Sequence, residues 1–343
     1  MDAKRGAVTL EDVAREAGVS LATASRAING STRTVRPAIR ERVERAARAL
    51  NYTANAQAQA VARGRTNLIG LVVQDIEDPY FSSIAAGAMR VAEANGLMVS
   101  IAGTGRRPDK EIEYVAALRG LRAAAIVIAG SRTDDRAALD RLGAQLDAFE
   151  RSGGRVALIG QRRLPVDTVV VANRAGGRDL GTRLAGLGYR SFGVLAGPRG
   201  LLTAADRLAG FAEGLGNAGI ALPHDAIVHG EFDRDGGHDA MLELLARRRD
   251  VECVFAVNDV MAVGALAALR SHGLERTVAV AGFDDIATLR DVVPALTTVR
   301  LPLVEMGAAA LEMVLDEPAR RPRQRLVRGE VVLRESTPGA RRD

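Results

Sequence analysis

Polar and aromatic residues follow several short apolar runs of the sequence, where they could bind a small hydroxylated molecule. Asp75 comes two residues after Val73, and Asp284 comes two residues after Gly282. Carboxylates and guanidinium groups make charge-assisted hydrogen bonds with hydroxyl groups, and an aromatic ring packs on the apolar face of a sugar. We therefore expect an effector site for a sugar or sugar derivative. Its candidate residues are Asp75, Tyr80, Phe81, Gln161, Arg162, Asn173, Arg207, Phe232 and Asp284.

Each such residue also has an ordinary structural interpretation, because polar side chains commonly end strands and cap helices. Asn258-Asp259 could cap a helix that begins near Val260 as readily as contact a ligand, and Asp285 could be structural. Five or six polar positions at successive strand ends, framed by aromatic residues in a chain with only 3% aromatics, favour a ligand site.

The sequence shows no constellation typical of an enzyme. The four histidines lack metal-ligand spacing, and Gly103-Thr104-Gly105 lacks the third glycine of a dinucleotide loop. There is also no Gly-Lys-Ser/Thr phosphate loop and no Gly-x-Ser-x-Gly elbow. We therefore predict a protein that is not an enzyme and has neither a cofactor nor a metal.

Positive charge is concentrated at the start of the chain. Residues 1–65 hold twelve Lys/Arg and six Asp/Glu, a net charge of +6, whereas the whole chain of 343 residues has a net charge of +5. A basic segment joined to a near-neutral body is typical of a polyanion-binding module. The single cysteine, Cys253, and the lack of a secretory leader or a long apolar run predict a cytoplasmic protein without a membrane partner.

The first sixty residues have the pattern of a helix-turn-helix. Thr9 is suited to cap one helix, Gly18 to end it in a left-handed turn, and Ser20 to cap a second helix that ends near Asn29. Pro37 is favoured in the first turn of a third helix. Two short helices joined by a glycine-containing turn predict a DNA-binding unit.

These residues also resemble a known family. The stretches 8–20 and 23–30 are similar to the signature of the lactose-repressor/galactose-repressor (LacI) family of bacterial transcriptional regulators, and Leu50-Asn51-Tyr52 extends the match. The resemblance implies that Leu21, Ala22 and Arg26 read bases. Arg26 suits guanine, although a phosphate contact is the commoner role of such an arginine. The phosphate-contacting positions that it implies are Thr9, Ser20, Thr23, Ser25 and Asn29.

The segment 54–66 resembles the hinge of that family, whose paired helices enter the minor groove. It is too short to form a stable isolated helix, so we expect it to fold against DNA or a second hinge. Asn55, Ala58 and Val61 stand at the DNA-contacting positions, with Val61 where an apolar wedge kinks the duplex. The alternative is a plain linker helix.

From Leu68 onward, short apolar runs alternate with helical patterns, which predicts an α/β core of doubly wound parallel sheets. The predicted strands are 68–73, 97–101, 125–129, 156–159, 192–196, 226–228, 254–257 and 278–282. The predicted helices are 82–95, 175–187, 208–218 and 260–271. Ligands of such folds bind beyond the carboxyl ends of the strands.

The core is also similar to that of the family, whose sensor resembles periplasmic sugar-binding proteins. The resemblance implies two subdomains, and it places Tyr80, Asn173, Arg207, Phe232 and Asp284 against the effector. The predicted domains are the helix-turn-helix (1–53), the hinge (54–66), a first core subdomain (67–168 with about 300–328) and a second (169–299 with about 329–343).

Together these features predict a homodimeric repressor that binds a pseudo-palindromic double-stranded operator and is controlled by a small effector. The sequence leaves open a nucleobase corepressor, or no effector at all. A periplasmic sugar-binding protein would share the core, but it would need a leader and no helix-turn-helix.

Overall fold

The computed structural model describes residues 8–29, 35–53 and 65–340, and the chain divides into two compact units, Met1–Thr66 and Asn67–Asp343. Within its described residues the first unit contains three helices, and its core is built from small apolar side chains such as Val13, Ala24 and Val43. Its helices are α1 (Leu10–Glu16), α2 (Leu21–Asn29) and α3 (Pro37–Ala49). The predicted helix-turn-helix is confirmed.

The first subdomain of the larger unit is built on a fully parallel sheet of six strands. These strands are β1 (Leu68–Val73), β2 (Met98–Gly103), β3 (Ala125–Ala129), β4 (Arg155–Gly160), β5 (Asp167–Val171) and β11 (Gln324–Val327). Their spatial order is β11-β5-β4-β3-β1-β2. The accompanying helices are α4 (Pro79–Ala94), α5 (Pro108–Gly120), α6 (Arg136–Arg151) and α11 (Leu303–Leu315).

The second subdomain has a parallel sheet of four strands in the order β7-β6-β8-β9. These strands are β6 (Phe192–Leu195), β7 (Ile227–Val228), β8 (Cys253–Ala256) and β9 (Ala279–Ala281). Its helices are α7 (Asn173–Gly186), α8 (Leu202–Gly216), α9 (Arg234–Arg247) and α10 (Asp259–Ser271). Two short antiparallel strands, β10 (Thr298–Arg300) and β12 (Glu330–Val332), pair beside it. The predicted α/β class is confirmed.

The expected boundary after residue 168 is wrong, because it cuts through β5. That strand pairs with both β4 and β11, so it belongs entirely to the first sheet and the chain crosses over after Val171. Residues 303–327 return to the first subdomain, where they form α11 and β11.

Glycines allow the helix pairs of the core to approach closely. A Cβ atom on Gly177 of α7 would lie 2.4 Å from the carbonyl oxygen of Arg207 on α8, far inside van der Waals contact. Because α7 begins with Asn173 and α8 carries Arg207, this close approach brings two predicted site residues together.

Candidate functional site

Helix α2 presents the predicted base-reading residues on its exposed surface. The left-handed backbone of Gly18 (φ 61°) turns the chain between α1 and α2. The hydroxyl oxygen of Ser20 then accepts a hydrogen bond from the backbone N–H of Thr23 at 3.2 Å, which caps α2 as predicted. Leu21 is 45% exposed, and Ala22 is also exposed, so both side chains are available for apolar contacts in a groove.

The other predicted DNA-contacting residues of this unit differ in whether their side chains already have hydrogen-bond partners within the protein. The Thr9 hydroxyl accepts a hydrogen bond from the N–H of Asp12 and donates one to its carboxylate, so Thr9 caps α1. Among the described residues, the half-buried Arg26 has no hydrogen-bond or ion-pair partner, whereas Ser25 has interactions of its own. Outside the description lie the side chain of Asn29 and the predicted hinge residues Asn55, Ala58 and Val61.

A cavity of about 30 Å³ lies in the cleft between the two subdomains of the core, beyond the carboxyl ends of β1, β3 and β4. Six of the nine predicted effector residues line it. They are Tyr80, Phe81, Asn173, Arg207, Phe232 and Asp284. The structure therefore brings these six residues together around one cavity at the strand ends.

The floor of this cavity is organised around the guanidinium group of Arg207, which is only 2% exposed. Its Nη2 donates to Asp284 Oδ1 at 2.7 Å, and its Nε donates to Asn173 Oδ1 at 2.8 Å. Its Nη1 donates to the carbonyl oxygen of Val257 at 2.8 Å, and the guanidinium stacks 3.8 Å from the ring centre of Phe283. The protein thus fixes the positive charge before any ligand arrives.

Burial sets the protonation of the acidic groups around the cavity. It raises the pKa of Asp284, against the opposing effect of the Arg207 guanidinium. It also raises the pKa of Asp78, whose carboxylate accepts a hydrogen bond from the N–H of Tyr80 at 2.9 Å and thereby caps α4. Burial likewise raises the pKa of the Tyr80 hydroxyl, so this group remains a neutral donor.

Three predicted effector residues do not line the cavity. Asp75 faces the guanidinium of Arg106 at 3.4 Å. The Gln161 amide donates to the Thr203 hydroxyl at 2.7 Å and accepts from the N–H of Arg132, so it bridges the subdomains instead of facing the cavity. The Arg162 guanidinium lies against the side-chain amide of Gln324 on β11. The pattern places a residue after a strand, but it does not determine which way the side chain turns.

The sequence reasoning missed Gln74, Arg106 and Ser131, which also line the cavity. Gln74 directly follows β1, and Ser131 comes two residues after the end of β3, so the rule of strand ends would have found both. Arg106 follows Gly103-Thr104-Gly105, a stretch considered only as a failed dinucleotide loop. Its backbone has a left-handed φ of 58°.

The residues left open between ligand and structural roles are structural in this arrangement. Asn258 Oδ1 accepts a hydrogen bond from the N–H of Met261 at 2.9 Å and caps α10. Asp259 accepts hydrogen bonds from the Thr298 hydroxyl and the N–H of Ile286. Asp285 forms ion pairs at 2.7 Å with two arginines, Arg300 and Arg334.

Among the described residues, no group of three or more His, Cys, Asp or Glu side chains is arranged to hold a metal ion. Within the same part of the chain, no helix has the length and apolar character to cross a membrane.

The chain matches two family models and several known proteins. Residues 9–55 match bacterial regulatory proteins of the lacI family, and residues 182–337 match a periplasmic binding protein-like domain. The transcriptional regulator GalR of Escherichia coli (strain K12) is 35% identical over 319 residues, which cover 92% of this chain and 90% of GalR.

Two solved structures are similar over nearly their whole length. The complex of the transcriptional regulator CelR with cellobiose is 31% identical, with a TM-score of 0.70, and the match covers 96% of this chain and 99% of that one. The lac repressor dimer bound to operator and the anti-inducer ONPF is 26% identical, with a TM-score of 0.82, and the match covers 97% and 99%.

A helix-turn-helix unit, followed by a periplasmic-binding-protein-like core with a cavity between its subdomains, defines a DNA-binding transcriptional regulator. The relatives at this level of identity are transcriptional regulators. The chain belongs to the lacI family of bacterial regulatory proteins.

Proposed function

We propose that this regulator is a repressor whose affinity for operator DNA is controlled by a sugar bound between the core subdomains. The observation that carries the proposal is the fixed Arg207–Asp284–Asn173 network on the floor of the cavity, with Tyr80 and Phe232 on its walls. Paired acceptors and donors beside aromatic rings suit a molecule with a hydroxylated rim and an apolar face. The cellobiose bound to CelR supports the same class of ligand.

Sugar binding would be coupled to the arrangement of the subdomains. A cavity of about 30 Å³ is far smaller than the roughly 300 Å³ of an ordinary ligand pocket, so entry requires the cleft to widen. Direct contacts hold it narrow, including the bond from Arg106 Nη2 to the carbonyl oxygen of Phe232 at 3.0 Å and the Gln161–Thr203 bond. A ligand that prefers the wider arrangement would shift the population toward it.

We propose that two copies pair through their cores, so that two reading units meet a pseudo-palindromic operator. On the second subdomain the apolar side chain of Val293 is 75% exposed, which would suit contact with a second copy. In each unit, Leu21, Ala22 and Arg26 would read bases. Phosphates would be contacted by Thr9, Ser20, Thr23, Ser25 and Asn29.

The proposed hinge, residues 54–66, would transmit the change in the cleft to the DNA. Asn55, Ala58 and Val61 would enter the minor groove, and their insertion would depend on the separation of the two hinges. A sugar that alters the subdomain angle would thereby weaken operator binding. We propose that all of this occurs in the cytoplasm, where operator DNA is accessible.

The proposal is tested by a thermal-shift screen of the full-length protein against sugars and nucleobases. A ligand that binds the folded state raises the midpoint of unfolding. We expect a sugar to do so in the wild type and to lose its effect in Asp284→Asn, while Asp147→Asn, an exposed control, responds normally. A shift from nucleobases alone would favour a corepressor-controlled regulator, and no shift from either class would contradict effector control.

A further inference from the structure

A short antiparallel β-bridge joins the two subdomains across the effector cleft. Its first segment is residues 132–134, which follow β3, and its second segment is residues 200–202, which lead into α8. The N–H of Asp134 donates to the carbonyl oxygen of Gly200 at 3.2 Å, and the second main-chain bond between the segments has a length of 3.0 Å. The main chains of the two subdomains are therefore hydrogen-bonded directly to each other. We call these two segments the cross-cleft bridge.

Through this bridge the first subdomain caps helix α8 of the second. A helix leaves the N–H groups of its first turn without intrahelical partners, and Leu201 at the N-cap of α8 provides no side-chain acceptor. The N–H of Leu202 instead donates to the carbonyl oxygen of Arg132 at 3.0 Å, and the N–H of Thr203 donates to the Ser131 hydroxyl at 3.0 Å. The acceptors for these two N–H groups of α8 therefore belong to the other subdomain.

The cross-cleft bridge lies apart from the segments that connect the subdomains covalently. One connection leaves from the end of β5, and the other two lie between β10 and α11 and between β11 and β12. In the first sheet β4 separates β3 from β5, so two strand spacings of about 4.8 Å place the end of β3 about 10 Å from that of β5. A rotation of the subdomains about the covalent connections would therefore pull the bridge apart.

Residues next to the bridge also line the effector cavity. Ser131 and Thr203, which are joined by one of the capping bonds of α8, both lie on its wall. Arg207, the cation of the cavity floor, lies in the second turn of the same helix. A ligand that enlarges the cavity therefore pushes apart the residues that the bridge holds together.

We propose that the cross-cleft bridge is a latch, which holds the cleft narrow and which the effector must open in order to bind. The inference rests on the proposed function, because it names the contact that effector binding breaks. Opening transfers the first N–H groups of α8 from acceptors in the first subdomain to water. The start of α8 and the segment after β3 should therefore open together.

A reversible cross-link tests the latch in the full-length protein. Thr133 and Leu201 are the non-hydrogen-bonded pair of the bridge, a geometry in which Cα atoms lie about 4.5 Å apart. That separation suits a disulfide, so Thr133→Cys combined with Leu201→Cys should lock the bridge on oxidation and release it on reduction. Thr133→Cys alone, given the same treatments, is the matched control, and the native Cys253 is buried.

Isothermal titration with glucose, galactose and cellobiose measures sugar binding in each state. We expect a sugar that binds the reduced double variant to bind at least tenfold more weakly after oxidation, because the locked cleft cannot widen. The single-cysteine control should change less than twofold. Equal sugar affinities in the oxidised and reduced double variant would overturn the latch while sparing the proposed function.

Leu202→Pro removes one bond of the bridge without a cross-link. Leu202 is the first residue of α8, where proline is favoured because its missing N–H would have no intrahelical partner. Leu202→Ala is the matched control, because it shortens the same side chain and keeps the N–H. Loss of one hydrogen bond of ordinary strength should raise the open population about two- to tenfold. The proline variant should therefore bind the same sugar about two- to tenfold more tightly than the alanine variant, and equal affinities would contradict the latch.

Hydrogen exchange tests the latch without any sugar. Asp134 donates its N–H from the opposite side of the bridge, so its exchange should follow the opening that Leu202→Pro promotes. In the peptide that contains Asp134, mass spectrometry should show exchange about two- to tenfold faster in the proline variant than in the alanine variant. Equal exchange would overturn the latch. The expected exchange together with no binding of any of the three sugars would support the latch and count against control by these sugars.

Discussion

The helix-turn-helix of residues 8–53, here called the reading unit, and the proposed effector cleft differ in whether their arginines already have partners. Arg26 on α2 is half-exposed and has no partner among the described residues, whereas Arg207 on α8 is buried and makes four hydrogen bonds. The reading unit needs the polyanion to complete its contacts. In the cleft, Arg207 already has hydrogen-bond partners within the protein. It therefore stabilises the fold even when no ligand is bound. Substitutions in the two regions should therefore separate cleanly into losses of binding and losses of stability.

The largest effect should come from Arg207→Ala. This change leaves the buried Asp284 carboxylate without its partner, which typically costs about 3–5 kcal/mol of unfolding free energy. Chemical denaturation of the full-length protein checks the prediction. The matched control is Arg151→Ala, an exposed pair with Asp147, for which we expect a loss within about 0.5 kcal/mol. A similar small loss for Arg207→Ala would remove the contrast between the regions.

The pH dependence of stability should also originate in the core. Burial raises the pKa of Asp259 to about 6, against the opposing hydrogen bonds from Thr298 and Ile286. A raised pKa means that stability is fully present below the unfolded-state pKa and is lost as pH rises through about 6. The rise of the Asp259 pKa from 3.8 to about 6 corresponds to about 3 kcal/mol of unfolding free energy.

Denaturation of the wild type and of Asp259→Asn between pH 4 and pH 7 measures this effect. The neighbouring charges that act on Asp259 are Asp285 and Arg207, and both are kept in the variant. We expect the wild type to lose stability over this range and the variant to lose less. Parallel curves would show that Asp259 does not titrate in this window.

A smaller effect should come from Gly177→Ala. The added methyl group would lie 2.4 Å from the Arg207 carbonyl oxygen, so α7 and α8 must separate, at a cost of about 1–3 kcal/mol. The control is Gly186→Ala at the end of α7, where nothing lies within 4 Å. There we expect no loss, because alanine favours helix over glycine. Thermal unfolding checks both variants, and equal midpoints would show that the helices tolerate the separation.

Arg26→Ala tests the reading unit, where we expect a loss of DNA binding and no loss of stability. The fold should be unchanged, while specific operator binding should lose about 1–3 kcal/mol and weak, salt-sensitive binding should persist. Fluorescence anisotropy with operator duplex measures specific binding, and with random duplex it measures the weak, salt-sensitive binding. A uniform loss on both duplexes would assign Arg26 to phosphate contact instead of base readout.

The sequence predicted features that depend on neighbouring residues better than features that depend on contacts between distant segments. The starts of α2 and α3 followed from Ser20 and Pro37, because caps and first-turn residues act on neighbours in the chain. Two residues of the cleft floor were also among the candidates, because Asp284 follows a strand and the family resemblance implied Arg207, which lies within α8. Local patterns could not show that Arg162 turns toward Gln324, or that Arg106 reaches across to Phe232. Those outcomes depend on contacts between segments far apart in sequence.

The boundary within the core shows the same limit. The short apolar run around Val169 is not among the predicted strands, and its residues do not show which sheet it joins. That choice is made by β11, which returns more than 150 residues later to pair with β5. The sequence therefore indicates the elements better than their partners.

The most direct test of effector control is the affinity of the full-length protein for an operator selected from random duplexes, measured by fluorescence anisotropy with and without the sugar that binds it. We expect that sugar to weaken operator binding at least tenfold in the wild type and to have no effect in Asp284→Asn. Identical operator affinities with and without a bound sugar would contradict the proposed coupling between the cleft and the reading unit.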